Sequence, residues 1–264
     1  MQDLKVSLVQ PNPAWHNVNE NLERLASLMA QVENTTDVIV LPEMFTTGFT
    51  NSSSEMAEKM AGKTHQWMQS QAQKLNSVVC GSIIIDVDGE YYNRFLWVEP
   101  DGNTIHYDKR HLFRMANENN YYAAGNNQIN INYKGWKIRP LVCYDLRFPV
   151  WARNTVNKNQ FDYDILLYVA NWPQARVSVW DTLLKARAME NYAYSIGVNR
   201  VGKDENGIVY NGHSAVYGPK GEEFCMLEDA EQVSTIKLEK QPLDDFREKI
   251  PIYLDADNFD LNID

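Results

Sequence analysis

Short apolar runs alternate with stretches of helical periodicity along this chain. Leu4 to Gln10 is a near-continuous apolar run of strand length. Asn17 to Val32 follows, with Val18, Leu22, Leu25, Leu28, Met29 and Val32 on one face, the spacing of an amphipathic helix. Asp37 to Leu41 predicts a second strand, and Thr64 to Leu75 a second helix. Val78 to Ile85 and Tyr91 to Val98 flank Asp88-Gly89, a hairpin signal. Thr104 to Tyr107 adds a short strand. Ile129 to Tyr133 and Trp136 to Val142 flank Lys134-Gly135, a second hairpin signal. Asp164 to Val169 predicts a buried strand and Val177 to Glu190 a helix. Strands then follow at Tyr194 to Val201, Ser214 to Tyr217 and Val233 to Lys237. Helices join some strands and tight turns join others, which predicts an α/β fold with a mixed, helix-covered sheet. No repeat, low-complexity tract or Pro/Gly/Ser linker divides the chain, so one domain is expected over 1–264, with a tail from about 250 lying outside the core. The polar segment Asn51 to Glu55 reads as a loop near the functional end.

Three charged or nucleophilic residues stand where apolar runs stop. Cys143 ends the run Ile138 to Val142 and precedes a charged turn, Tyr144-Asp-Leu-Arg147, with a helix start at Pro149. A thiol at a strand-to-helix junction near a positive helix end favours the thiolate. By itself a free Cys is more often a small buried hydrophobe. Glu43 ends the strand Asp37-Val-Ile-Val-Leu-Pro, where a carboxylate serves as general base for a thiol. Lys109, in Tyr107-Asp-Lys-Arg-His-Leu-Phe-Arg114, supplies a cation that keeps a thiolate ionised and stabilises an oxyanion.

The blocks Leu41-Pro-Glu-Met-Phe45, Asp108-Lys-Arg-His-Leu-Phe113 and Val142-Cys-Tyr-Asp-Leu-Arg-Phe-Pro149 resemble the three signature blocks of the nitrilase, or carbon-nitrogen hydrolase, superfamily, in the family's order. Tyr92-Asn-Arg, Pro100-Asp-Gly, Asn171-Trp-Pro, Arg187-Ala-Met-Glu-Asn191 and Gly212-His-Ser agree, so the resemblance spans Val6 to about Ile250. The wording around Cys143 and the segment Asn171-Trp-Pro-x-x-Arg176 are most similar to the omega-amidase branch. The resemblance implies a single-domain four-layer α-β-β-α sandwich. It implies a cysteine amidohydrolase that forms a thioester and releases ammonia from the terminal carboxamide of a short dicarboxylic acid monoamide, 2-oxoglutaramate or 2-oxosuccinamate. Other superfamily chemistries are the alternatives: deaminated glutathione, N-carbamoyl compounds, nitriles, or a non-catalytic binding protein on the same fold. Glu43 is then the base, Cys143 the nucleophile and Lys109 the catalytic cation. Glu118 matches the family's second glutamate by its distance from Gly125 and is expected to orient Lys109. The Tyr144 N–H is an oxyanion donor candidate. Arg147 either pairs with Asp145 or reaches the substrate. Trp172 and Arg176 follow a buried strand and are expected at the pocket mouth. Lys185 to Asn191 reads as an amphipathic helix end, and the resemblance implies that it serves packing or a dimer interface.

Composition narrows the partners. The chain has 264 residues, 44% hydrophobic, and a formal net charge of −10. That acidity argues against nucleic-acid and membrane partners, which are themselves anionic. No apolar stretch approaches membrane-spanning length and no export signal is apparent, so a cytoplasmic protein is expected. The three cysteines, Cys80, Cys143 and Cys225, are then reduced thiols. Neither they nor the five histidines show metal-ligand spacing, and no phosphate or dinucleotide fingerprint occurs. No cofactor or metal is expected; the partners are a small amide substrate and further copies of the chain, as a homodimer or larger homo-oligomer.

Overall fold

In the computed structural model, residues 2–32, 35–157, 160–257 and 259–262 are described. The first half runs β1 (Leu4–Gln10), α1 (Val18–Met29), β2 (Val38–Val40), α2 (Ser53–Met56), α3 (Lys63–Leu75), β3 (Val78–Val87), β4 (Glu90–Val98) and β5 (Thr104–Asp108). Then come β6 (Ile131–Tyr133), β7 (Trp136–Val142), α4 (Pro149–Ala152), β8 (Val156–Asn157), β9 (Gln160–Phe161) and β10 (Ile165–Val169). The last third holds α5 (Val177–Asn191), β11 (Tyr194–Val198), β12 (Val201–Lys203), β13 (Val209–Asn211), β14 (Ala215–Tyr217), β15 (Glu223–Met226), β16 (Gln232–Leu238) and α6 (Lys240–Lys249).

Two six-stranded sheets form, ordered β16-β1-β2-β3-β4-β5 and β15-β14-β11-β10-β7-β6. The centre of each is parallel: β1, β2 and β3 in one, β7, β10 and β11 in the other. Strand alternation assigns the faces. Val38 and Val40 belong to the core shared with the second sheet, while Ile39 and Leu41 pack with Leu22, Leu25 and Met68 of α1 and α3. On the second sheet α5 crosses β11 at Gly197, where a β-carbon would lie 2.4 Å from Leu184 and 2.6 Å from Trp180. The layers are therefore helix, sheet, sheet, helix, the four-layer sandwich implied by the sequence blocks. Both predicted hairpins form, and both central residues of each turn have positive φ: Asp88 and Gly89, Lys134 and Gly135.

Several elements differ from expectation. The strand predicted over 194–201 is broken into β11 and β12, because Asn199 turns its side chain to Trp172 and Gly212 instead of continuing the ladder. The segment 51–55 is not all loop: Ser53 opens α2 and donates to Tyr121 O. The helix expected from Pro149 is the single turn α4, and a 3₁₀ turn, Cys143–Arg147, precedes it. Helix α6 was not anticipated: its apolar side is only Leu243 and Phe246, and its other buried residues are Lys240 and Arg247. Among the described residues no helix is long and apolar enough to cross a membrane.

Candidate active site

The carboxyl ends of β2, β5, β7 and β10, drawn from both sheets, converge on one point. Open α/β sheets bind ligands at such ends. Glu43 follows β2 and is 1% exposed. Its Oε1 accepts from Asn93 Nδ2 at 2.7 Å and from Lys109 Nζ at 2.9 Å. Its Oε2 accepts from the Asn171 N–H at 2.8 Å. A carboxylate held by this many donors has a fixed direction and no need of water. Lys109 follows β5 and is likewise 1% exposed. Its Nζ lies 2.9 Å from both oxygens of Glu118, a fully buried residue that opens a short 3₁₀ turn and also accepts from the Phe113 N–H.

Cys143 follows β7 with φ of 44°, a left-handed conformation that costs a non-glycine residue on the order of 1–3 kcal/mol. The strain turns the side chain out of the strand end, as at other nucleophile elbows. The buried carboxylate of Asp145 holds that shape. It accepts from the Val142 N–H at 2.9 Å, from the His111 N–H at 3.0 Å and from the Tyr107 hydroxyl at 2.8 Å. Asp145 thus ties the cysteine turn to the segment that carries Lys109. Gly125, the sequence marker for Glu118, has a steric reason: a β-carbon there would lie 2.1 Å from the Asp108 carbonyl oxygen.

The electrostatics correct one expectation. The surroundings of Cys143 work against a free thiolate. Burial pushes its pKa well up, Glu43 pushes it the same way both as a charge and as a hydrogen-bond partner, and Lys109 opposes them. The chain after the sulfur forms only the 3₁₀ turn Cys143–Arg147 and the single helical turn α4, too short for the lowering expected of a following helix. Burial alone would lower the pKa of Lys109, but Glu118, Glu43 and Cys143 raise it, so it stays an ammonium. Burial raises the Glu118 pKa against the pull of Lys109, with Glu43 adding to the rise.

A cleft of about 490 Å³, counted to its open mouth, leads to this cluster. Tyr144, Arg147, Trp172 and Arg176 all line it with Cys143 and Lys109, so the structure brings the eight sequence candidates to one place. The Tyr144 N–H begins the 3₁₀ turn and has no acceptor within it. Arg147 does not pair with Asp145, whose oxygens are engaged elsewhere; its guanidinium lies 5.2 Å over the Trp172 ring. Arg176 lies 5.2 Å over the Phe113 ring. Among the described residues neither arginine has a carboxylate at ion-pair distance. Asn93 and Asn171, which orient Glu43, were not singled out from the sequence, although both lie in blocks that carried the family resemblance. Phe49 and Tyr210, two further cleft walls, gave no local signal. Among the described residues no group of three or more His, Cys, Asp or Glu is placed to hold a metal ion.

Comparison with known proteins agrees with this geometry. Residues 5–248 match the family described as Carbon-nitrogen hydrolase. The chain is 46% identical to omega-amidase YafV of Escherichia coli K12, over 99% of this chain and 100% of that one. It is 29% identical to 2-oxoglutaramate amidase of Bacillus subtilis, over 95% and 96% of the two chains. The crystal structure of XC1258 from Xanthomonas campestris, a CN-hydrolase superfamily protein with an arsenic adduct in its active site, superposes with a TM-score of 0.97 at 43% identity, covering 99% of this chain and 100% of that one. A match over nearly the whole chain, on a site built from the same ordered blocks, means that this chain belongs to the carbon-nitrogen hydrolase family and is a hydrolase of non-peptide carbon–nitrogen bonds.

Proposed function

We propose that this enzyme is an omega-amidase that hydrolyses the terminal carboxamide of a short dicarboxylic acid monoamide, such as 2-oxoglutaramate or 2-oxosuccinamate. One observation carries the reading: Glu43, Lys109, Glu118 and Cys143 meet at the base of a cleft whose walls hold two arginines that have no carboxylate at ion-pair distance among the described residues. The kinship with YafV and with the Bacillus 2-oxoglutaramate amidase supports the same substrate class.

Glu43 takes the thiol proton as the sulfur forms a bond to the carboxamide carbon. The concerted transfer avoids a buried free thiolate. The carbonyl oxygen becomes an oxyanion, held by the Tyr144 N–H and the Lys109 ammonium. One Lys109 N–H bifurcates to the two Glu118 oxygens and one goes to Glu43, which leaves the third for the oxyanion. Protonated Glu43 then gives its proton to nitrogen, the C–N bond breaks, and ammonia leaves a thioester. Glu43 next takes a proton from water, the hydroxide attacks the thioester carbon, and the C–S bond breaks. The departing sulfur recovers its proton from Glu43, and the dicarboxylic acid is free. Glu118 holds Lys109 in place throughout. Arg147 and Arg176 bind the distal carboxylate, a role suited to the guanidinium fork.

The same reading takes the enzyme as cytoplasmic and as a homodimer or larger homo-oligomer. Support for self-association lies in Met189 of α5 and Phe224 of β15, each 47% exposed.

Ammonia release from a panel of amides, N-carbamoyl amino acids and nitriles tests the proposal. Dicarboxylic monoamides are expected to give the highest kcat/KM. Cys143→Ala is expected to abolish turnover while the circular dichroism and Tm of the folded protein persist. Ammonia release by pure Cys143→Ala, or a best substrate without a distal carboxylate, overturns it.

A further inference from the structure

Arg200 sits at the break between β11 and β12 and is 1% exposed. Its Nε donates to the Val201 carbonyl at 3.1 Å, and its Nη2 is buried with no hydrogen-bond partner among the described residues. Among the described residues no carboxylate lies at ion-pair distance from it. The guanidinium is instead 4.6 Å from the centre of the Tyr210 ring. On another side it abuts the chain at Gly48, where a β-carbon would lie 3.4 Å from Nη1. Tyr210 and Phe49, the residue after Gly48, both line the catalytic cleft. The Tyr210 hydroxyl donates to Asp204 Oδ2 at 3.0 Å, and Asp204 Oδ1 accepts from the N–H groups of Asn206 and Ile208, so the turn that carries Tyr210 is fixed.

The counter-charge acting on Arg200 is the buried carboxylate of Asp204, which lies beyond ion-pair distance and is turned to the Tyr210 hydroxyl, so the cation is only partly compensated and costly to fold around. It is also little screened, because no solvent or salt reaches it. Its field therefore extends through the aromatic wall into the cleft, where an anion would complete it.

We infer that Arg200 is a third charge selecting for carboxylate-bearing amides, acting from behind the cleft wall through the ring of Tyr210. It touches no substrate and is a positioning residue for the field in the cleft. Arg147 and Arg176 differ from it: both are partly exposed, and salt weakens them. The inference rests on the omega-amidase reading.

The test compares kcat/KM for glutaramate and for the neutral pentanamide in wild type, Arg200→Lys and Arg200→Met. Arg200→Met is expected to lose about tenfold on the acid through KM and to keep the neutral rate within about twofold, as for one weakly screened charge several ångströms away. Arg200→Lys retains the charge and is expected to keep most of the acid preference. An unchanged preference in Arg200→Met overturns the inference. So does an equal loss on both amides, which marks a merely structural residue. If Arg200→Met does not fold, Arg200→Gln carries the test: it removes the charge and keeps a donor for the Val201 carbonyl, the acid-to-neutral ratio is expected to fall, and an unchanged ratio overturns the inference. A wild type without acid preference is a separate outcome that removes the substrate reading, and this inference with it.

Discussion

At the scale of single residues, the chemistry rests on groups that are individually unfavourable. Cys143 holds a positive φ, and Glu43, Lys109 and Glu118 are ionisable side chains taken out of water. Each is tolerable because the others complete it: the ammonium faces two carboxylates, and each carboxylate has further N–H donors. The thiol remains the exception, raised by burial and by Glu43. The thiolate is the species that alkylating reagents attack. Inactivation by iodoacetamide is therefore expected to accelerate about tenfold per pH unit through neutrality and into the alkaline range. Peptide mapping is expected to find Cys143 modified before Cys80, whose own thiol is fully buried and pushed up by burial. A rate plateau near pH 7 would show a preformed thiolate and sink the concerted transfer to Glu43.

Among elements, the decisive contact joins the turn after β7 to the end of β5. Asp145 makes it, by accepting from Val142, His111 and Tyr107 at once. Tyr107 in turn accepts from Trp151 Nε1 at 3.0 Å, which adds α4 to the same knot. Asp145→Ala leaves two buried donors, the Val142 N–H and the Tyr107 hydroxyl, and the half-buried His111 N–H without an acceptor, at roughly 1–3 kcal/mol each before relaxation. A loss of about 3–5 kcal/mol is expected in urea denaturation, together with most of the activity. A variant within 1 kcal/mol of wild type would show that Asp145 does not hold the elbow. This contact was not legible in the chain, where Asp145 reads as a charged turn residue and a partner for Arg147. The hairpins were legible, because Asp88-Gly89 and Lys134-Gly135 carry their turn type in their own residues. Helix α6 was not, because its apolar contacts are only Leu243 and Phe246, and the charged Lys240 and Arg247 share its buried side.

For the whole molecule, Asp164 fastens α6 to the second sheet. Lys240 Nζ and Arg247 Nη1 each lie 2.6 Å from it, and the Lys137 N–H donates to it at 3.0 Å. Burial raises the pKa of Asp164, but Lys240, Arg247 and the Lys137 N–H outweigh burial and hold it below the ordinary value. A carboxyl with a lowered folded pKa adds stability above its unfolded pKa and loses it as pH falls through the folded one. Asp164→Asn is therefore expected to cost about 3–5 kcal/mol at pH 7, where it strands two buried cations. The gap from wild type is expected to narrow below about pH 4, the unfolded value. A gap that stays constant from pH 7 to 3 would show that the ion pairs contribute nothing.

The chain by itself determined the alternation of strands and helices, both hairpins, and the ordered Glu43, Lys109 and Cys143 blocks. Local periodicity, turn chemistry and residue type write these into adjacent positions. Only the tertiary structure decided the rest. Asn93 and Asn171 flank one carboxylate across a sequence separation that no local pattern spans. The Cys143 pKa is pushed up rather than down because burial and Glu43, not the neighbouring sequence, set its surroundings. Arg200 reads as one more charged residue until the fold removes its water and places the Tyr210 ring where a counterion would stand.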